Sequence, residues 1–313
     1  MRGLEISERF YLEHGAPMIR EQFPALEGLI AVGLAGSGSE YFGYDDEISR
    51  DHDFEPGFCL FLPDEAAVDR RAAFALERAY AKLPREFMGL KRSPLDPVGG
   101  NRHGVLRMED FFREKTGVPD GKLSGKDWFY VPEQALAEAT NGCVFRDDLG
   151  LFTEIRRGLA YFPRDVQLKK LAGALLMMGQ TGQYNYHRCI SRGETAAAQL
   201  AIAEFVKHAL GAIFLLNKRY TPYYKWTFRA LRELPILAEL HAPLEYLLSS
   251  GNTPQDAERK QETVERIASD IIARLCEEGL SSRIGDDLER HAYAVNDCIS
   301  DGEIRNLHIL FAV

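Results

Sequence analysis

The chain has 313 residues, 45% hydrophobic and 27% charged, the make-up of an ordinary soluble globular protein long enough for two domains or one large one. Its 38 basic and 47 acidic residues leave a net charge of −9. Such a surface repels a long phosphate backbone and so excludes extended nucleic acid as a partner, while a small anion stays compatible where a metal or local Lys/Arg neutralises it. The five cysteines form no CxxC pair and their number is odd, so neither a zinc site nor a disulfide framework is indicated. The N-terminus is polar, without the apolar core of a signal peptide, and the apolar runs read as too short and interrupted to cross a bilayer. The expectation is a cytoplasmic protein with no membrane partner.

In chain order, residues 4–22 carry helical spacing at Leu4, Ile6, Phe10, Tyr11, Leu12, Met18 and Ile19, broken at Gly15 and Pro17. Leu29 to Ala35 is a short apolar run ended by Gly36 and reads as a buried strand. A second strand is predicted over Asp51 to Leu62, closed by Pro63, and a helix over 64–83, ended by Pro84. Residues 92–104 are loop. Val105 to Met108 reads as a third strand, Glu109 to Lys115 as a short helix, and 127–147 as a helix followed by a strand at Cys143 to Phe145. Beyond about residue 164 helical periodicity dominates: 166–188, 195–217, 226–248, 256–278 and 286–299, with a strand-like end at Ile309 to Val313. The fold class expected is α+β, with a mixed sheet and helices over residues 1–160 and an antiparallel helical bundle over 161–313.

The chemistry concentrates in residues 36–54. A Gly/Ser turn, Gly36-Ser37-Gly38-Ser39, follows the first strand, and Asp51 and Asp53 stand two apart at the start of the next predicted strand. On a strand, residues i and i+2 face one side, so both carboxylates point together while His52 points away. Two such acids suit a hard divalent cation, and the turn's N–H groups suit an anion. Phosphate cradle plus metal acids is the minimum for phosphoryl or nucleotidyl transfer. Each piece alone has a plain alternative, a structural turn or a surface Asp-x-Asp. Their order, with Gly43 between them, adds the weight.

This order resembles the signature of the polymerase-beta-like nucleotidyltransferase superfamily, carried here by Gly38-Ser39 (or Gly36-Ser37), Gly43 and Asp51-His52-Asp53-Phe54. The resemblance implies that the turn holds the phosphates of a nucleoside triphosphate and that Asp51 and Asp53 ligate Mg²⁺. It also implies a third carboxylate from a later strand. Glu109 is the nearest candidate, and it reads equally well as a first-turn acid of a helix. A second segment, Asn217 to Trp226, mixes cations and aromatics between two predicted helices. Lys225 can reach a triphosphate while Tyr220 and Tyr223 close over it or stack on its base; the alternative is a helix–helix turn whose aromatics plug the bundle end. Most of the chain resembles a bacterial family of that superfamily catalogued as domain of unknown function 4037, on Asp45 to Asp53, Pro132-Glu133-Gln134, Tyr161 to Val166 and Tyr220 to Trp226.

The function expected is Mg²⁺-dependent transfer of a nucleoside monophosphate, AMP from ATP, to a hydroxyl of an unknown small molecule or protein. The rival is a nucleotide-binding or sensing module, or a toxin–antitoxin-like partner protein, that has lost turnover. Arg156-Arg157 and Lys169-Lys170 read as exposed helix faces.

Overall fold

A computed structural model describes residues 1–47, 54–93 and 102–313. It is α+β, and the chain divides into two compact units, one of residues 1–123 and 131–160, the other of 124–130 and 161–313.

The first unit begins with α1 (Gly3–Phe10), which runs through a π-helical turn at Tyr11–Gly15 into α2 (Ala16–Gln22), with Pro17 standing directly after the widened turn. Strand β1 (Ala31–Leu34) is buried along its whole length and leads through the Gly/Ser turn into the one-turn helix α3 (Ser39–Phe42). Strand β2 (Cys59–Leu62) is equally buried. Helix α4 (Arg70–Ala81) starts later than its periodicity indicates, because Asp69 caps it by accepting the Ala72 amide at 2.7 Å. A small hairpin, β3 (Glu86–Phe87) and β4 (Leu90–Lys91), follows; then come β5 (Gly104–Arg107) and α5 (Met108–Thr116). Helix α6 (Asp127–Tyr130) groups with the second unit, and α7 (Glu133–Thr140), β6 (Cys143–Arg146) and α8 (Leu151–Gly158) complete the first.

The four-stranded sheet has the order β5-β2-β1-β6, with β1 antiparallel to both neighbours and β5 parallel to β2. Alternation along β2 splits its side chains between two layers. Leu60 and Leu62 join Ile6, Phe10, Met18, Ile19, Leu76 and Tyr80 in one core cluster. Phe61 turns the other way, stacking on Phe152 at 3.9 Å and meeting Phe111 edge-on at 5.2 Å. The approach of β6 to β1 is close: a side chain at Gly33 would stand 2.5 Å from the Cys143 carbonyl oxygen, beside an irregularity in the register between Val32 and Gly33.

Strand β2 is shorter than its sequence indicates. Among the described residues, Phe54 to Phe58 are not strand, and the ladder opens only at Cys59. The approach to it is held by side chains instead. Ser7 Oγ donates to the Gly57 carbonyl, while the Tyr80 hydroxyl donates to the Phe58 carbonyl at 2.9 Å and accepts its N–H at 3.0 Å. Asp51 and Asp53 lie outside the described residues, so the strand-face argument for them has no counterpart here.

The second unit is helical. Its centre is α9 (Arg164–Met178), continued by a π-helical stretch at Gly179–Tyr186 and α10 (His187–Ser191). Then follow α11 (Thr195–Leu216), α12 (Tyr224–Arg232), α13 (His241–Ser249), α14 (Pro254–Glu277), α15 (Leu288–Asp297) and α16 (Gly302–Arg305). Helix α9 is buried on every side, which explains its lack of a polar stripe. Helix α11 is long and apolar enough to cross a bilayer, but 61% of its apolar stretch is buried within the unit, as in a core helix. The predicted final strand is instead a 3₁₀ turn at Ile309–Ala312, laid against α9 at Gly173. Among the described residues this unit contains no strand that could pair with it.

Lys169, expected on an exposed helix face, lies in the interior of the unit instead. Lys169 is fully buried, and its Nζ donates to Asn296 Oδ1 at 2.8 Å, Leu307 O at 2.6 Å and Arg305 O at 3.1 Å. Lys260 is equally buried, donating to Gln199 Oε1, Ser250 O and Asn252 Oδ1. Arg156 likewise is no exposed face, since its Nη2 caps the carbonyls of Thr140 and Asn141.

Candidate functional site

Strand β1 delivers the Gly/Ser turn to one end of the sheet. Gly33 pairs with Cys59 and Cys59 with Gly104, so the turn after β1, the approach to β2 and the residues preceding β5 all meet at that end. The turn is gripped from four directions. Asn141 accepts the Gly36 N–H at 2.9 Å and donates its own amide to the Gly36 carbonyl at 2.7 Å. Arg102 donates through Nε and Nη2 to the Ser37 carbonyl at 3.1 and 2.9 Å, and Nη2 also reaches Glu40 Oε1 at 2.6 Å. Lys115, at the end of α5, donates to Ser37 Oγ at 3.1 Å and to Glu138 Oε2 at 2.8 Å. Ser37 Oγ in turn donates to Glu138 Oε2 at 2.6 Å.

The consequence is a turn flanked by two cations, each paired with a carboxylate. Ser37 itself is exposed, whereas the Lys115 side chain is only 10% exposed and Glu40 only 9%. Burial pulls the Lys115 ammonium down, but its hydrogen bonds to Glu138 and Glu114 outweigh this and hold it above the usual lysine range. Lys115 is therefore a fixed positive charge and not a base. Gly38 is closely approached: a Cβ there would collide with Arg102 Nη2 and come within 2.8 Å of both Glu40 carboxylate oxygens. The Gly36 amide, committed to Asn141, is not free to bind a phosphate. In the same neighbourhood burial pushes the Cys59 thiol up to about 12, so it is no nucleophile.

The structure brings Gly36, Ser37, Gly38 and Ser39 together with Arg102, Lys115, Glu138 and Asn141. It does not bring Glu109 to them. β5 runs parallel to β2 away from the turn, and Glu109 follows its far end, roughly 10 Å along the sheet at about 3.3 Å per residue. There it is 48% exposed and pairs with Arg113, one helical turn on. It is a first-turn acid of α5. Asp45 accepts the Gly3 amide at the start of α1 at 3.1 Å.

Tyr220, Tyr223 and Lys225 belong to the second unit. Tyr220 is only 8% exposed, packed on Phe162 at 4.9 Å and Tyr161 at 5.5 Å, so it plugs the bundle instead of offering a stacking face. Tyr223 is partly exposed and leans on Tyr224, and Lys225 Nζ sits over the Trp226 ring at 4.6 Å. Among the described residues no three His, Cys, Asp or Glu side chains come together as a metal set.

Residues 128–227 match the family described as "Domain of unknown function (DUF4037)". The match covers less than half of the chain; it includes Glu138, Asn141, Tyr220, Tyr223 and Lys225, and leaves out the Gly/Ser turn. No curated protein matches the chain. Among solved structures, the crystal structure of a nucleotidyltransferase-like protein from Exiguobacterium sibiricum 255-15 is similar at 14% identity. That comparison covers 87% of this chain and 79% of that one, with a TM-score of 0.35.

Proposed function

We propose that the protein is a nucleotidyltransferase that moves a nucleoside monophosphate, AMP from ATP, to a hydroxyl of a small molecule or protein. The observation that carries this reading is the Ser37 turn at the end of β1, with Arg102 and Lys115 converging on its carbonyl and hydroxyl. Such a turn, with fixed positive charge and an exposed serine, is chemically suited to the phosphates of a nucleotide. Asp51 and Asp53 are the proposed Mg²⁺ ligands on the strength of the sequence motif, and bound Mg²⁺ would supply charge stabilisation at the transferred phosphate. What the described residues contribute is seating: Ser37 Oγ and Lys115 donate to anionic oxygens, and Arg102 fixes the turn that carries them.

The position of Glu109 favours a second reading, a nucleotide-binding module without turnover, because that carboxylate stands at the far end of β5, away from the turn. Incubation with labelled ATP, Mg²⁺ and cell extract separates the two. Transfer predicts a labelled acceptor that is lost about 10²-fold or more in Asp51→Asn and Asp53→Asn, with the melting temperature nearly unchanged or higher. Labelling by either variant at the wild-type level would remove the assignment. ATP binding with no labelled product would leave the module.

A further inference from the structure

A single oxygen of Glu138 engages both groups that would grip a phosphate oxygen. Its Oε2 accepts from Ser37 Oγ at 2.6 Å and from Lys115 Nζ at 2.8 Å, and those two donors are themselves 3.1 Å apart. A hydroxyl and an ammonium converging on one oxygen make an oxyanion seat, and here a carboxylate from α7 fills it. The third Lys115 proton goes to Glu114 Oε1 at 2.9 Å, so all three of its donors are committed. An incoming anion can reach Lys115 only by displacing one of its three acceptors, the Ser37 hydroxyl or one of the two acids.

The two acids are not equivalent. The Glu114 side chain is 72% exposed and its pairing is screened by water, whereas Glu138 is 19% exposed beside a lysine that is 10% exposed. We propose that Glu138 is a built-in competitor: its carboxylate occupies the seat of a phosphate oxygen and gives way when a triphosphate, with its larger charge, arrives at Ser37. The inference rests on the nucleotide reading of the same turn and adds to it the residue that sets the affinity. Glu138 lowers resting affinity, keeps the buried Lys115 paired when no ligand is bound, and favours ligands carrying more than one negative charge over single carboxylates.

The test uses the full chain and inorganic tripolyphosphate without metal, titrated by calorimetry, with unfolding of the ligand-free proteins measured in parallel. Glu138→Gln keeps the shape and removes the charge, and is expected to bind about tenfold more tightly than wild type while melting lower, because the Lys115 pair is lost. Glu138→Ala should shift binding the same way. Lys115→Met is expected to weaken binding about tenfold, and Glu114→Gln to change it less than twofold. A merely structural Glu138 would lower both melting temperature and affinity, and affinity that is unchanged or weaker in both Glu138 variants overturns the competitor while leaving the nucleotide reading intact. Binding by Glu138→Gln alone, with none by wild type, supports the competitor in its strongest form. Absence of binding by wild type and by both Glu138 variants overturns the seat together with the triphosphate reading.

Discussion

Gly142→Ala is expected to destabilise the first unit by about 3–4 kcal/mol, a loss at the upper end for a single small substitution. Gly142 has φ +69, and a Cβ there would collide with the Leu34 carbonyl oxygen and lie 2.8 Å from its carbon and 3.3 Å from the Ala35 Cα. Every one of those atoms is backbone, so no rotamer change relieves the overlap. β6 must instead draw back from β1 where Leu34 pairs with Cys143. The left-handed backbone alone costs an alanine about 1 kcal/mol. Gly117→Ala isolates that part, since Gly117 has φ +82 with nothing within 4 Å of its would-be side chain. Denaturant unfolding of the two variants should therefore differ by about 2 kcal/mol or more. Equal losses would mean that the close approach of the two strands is not a property of the folded protein. Asn141 precedes Gly142 and holds both polar groups of Gly36, so the same substitution should also disturb the Ser37 turn.

Lys169→Met is the second large effect expected, about 2–4 kcal/mol in the second unit. Burying an ammonium with no carboxylate beside it costs several kcal/mol, and burial pushes its pKa below the ordinary lysine range. Three charge-assisted hydrogen bonds, each about 1.5–3 kcal/mol, offset that cost. Methionine fills the same space without a donor, so Asn296 Oδ1 and Leu307 O lose the lysine at about 1–3 kcal/mol for each one left dry, while Arg305 O keeps only the long contact from Asn296 Nδ2 at 3.4 Å. Two of the three acceptors lie at the end of α16 and just beyond it. Loss of the lysine should therefore loosen residues 302–313 first, and limited proteolysis should cut there before the rest of the unit. A variant with wild-type stability and an uncut tail would show that these carbonyls find water instead.

The helices of the second half were legible because their apolar residues recur every three or four positions. β1 was legible as a short apolar run ended by glycine. Readings failed where tertiary surroundings overrode local pattern. Ile309 to Val313 is five apolar residues in a row, a pattern that fits a strand or a buried helical turn alike, and no partner strand exists in that unit among the described residues. The hairpin at Glu86–Phe87 and Leu90–Lys91 has two residues per strand and a Met88-Gly89 turn, too little to register as alternation. Lys169 looked solvated beside Lys170, since nothing local shows that α9 is covered on every side. At the site, the Gly/Ser turn was readable in sequence. Arg102, Lys115, Glu138 and Asn141 were not, because they lie 65 to 105 positions from the turn residues they hold. Only the fold reveals such pairings, and the separation of Glu109 from the turn was hidden for the same reason: distance along the sheet is invisible in spacing along the chain.

The short helix Asp127–Tyr130 gives the chain a interleaved construction. Trp128 is 5% exposed and meets Phe162 edge-on at 5.9 Å, and Phe129 meets Phe311 at 5.6 Å, yet both come from a stretch flanked on each side by residues of the sheet-bearing half. A gene cut between Ala160 and Tyr161 would hand each product the wrong cargo. The N-terminal piece would carry a stray, sticky tetrapeptide, and the C-terminal piece would lose the rings that meet Phe162 and Phe311 from Trp128 and Phe129. The chain is in effect stitched, and a single cut there takes part of the second core away with the first half.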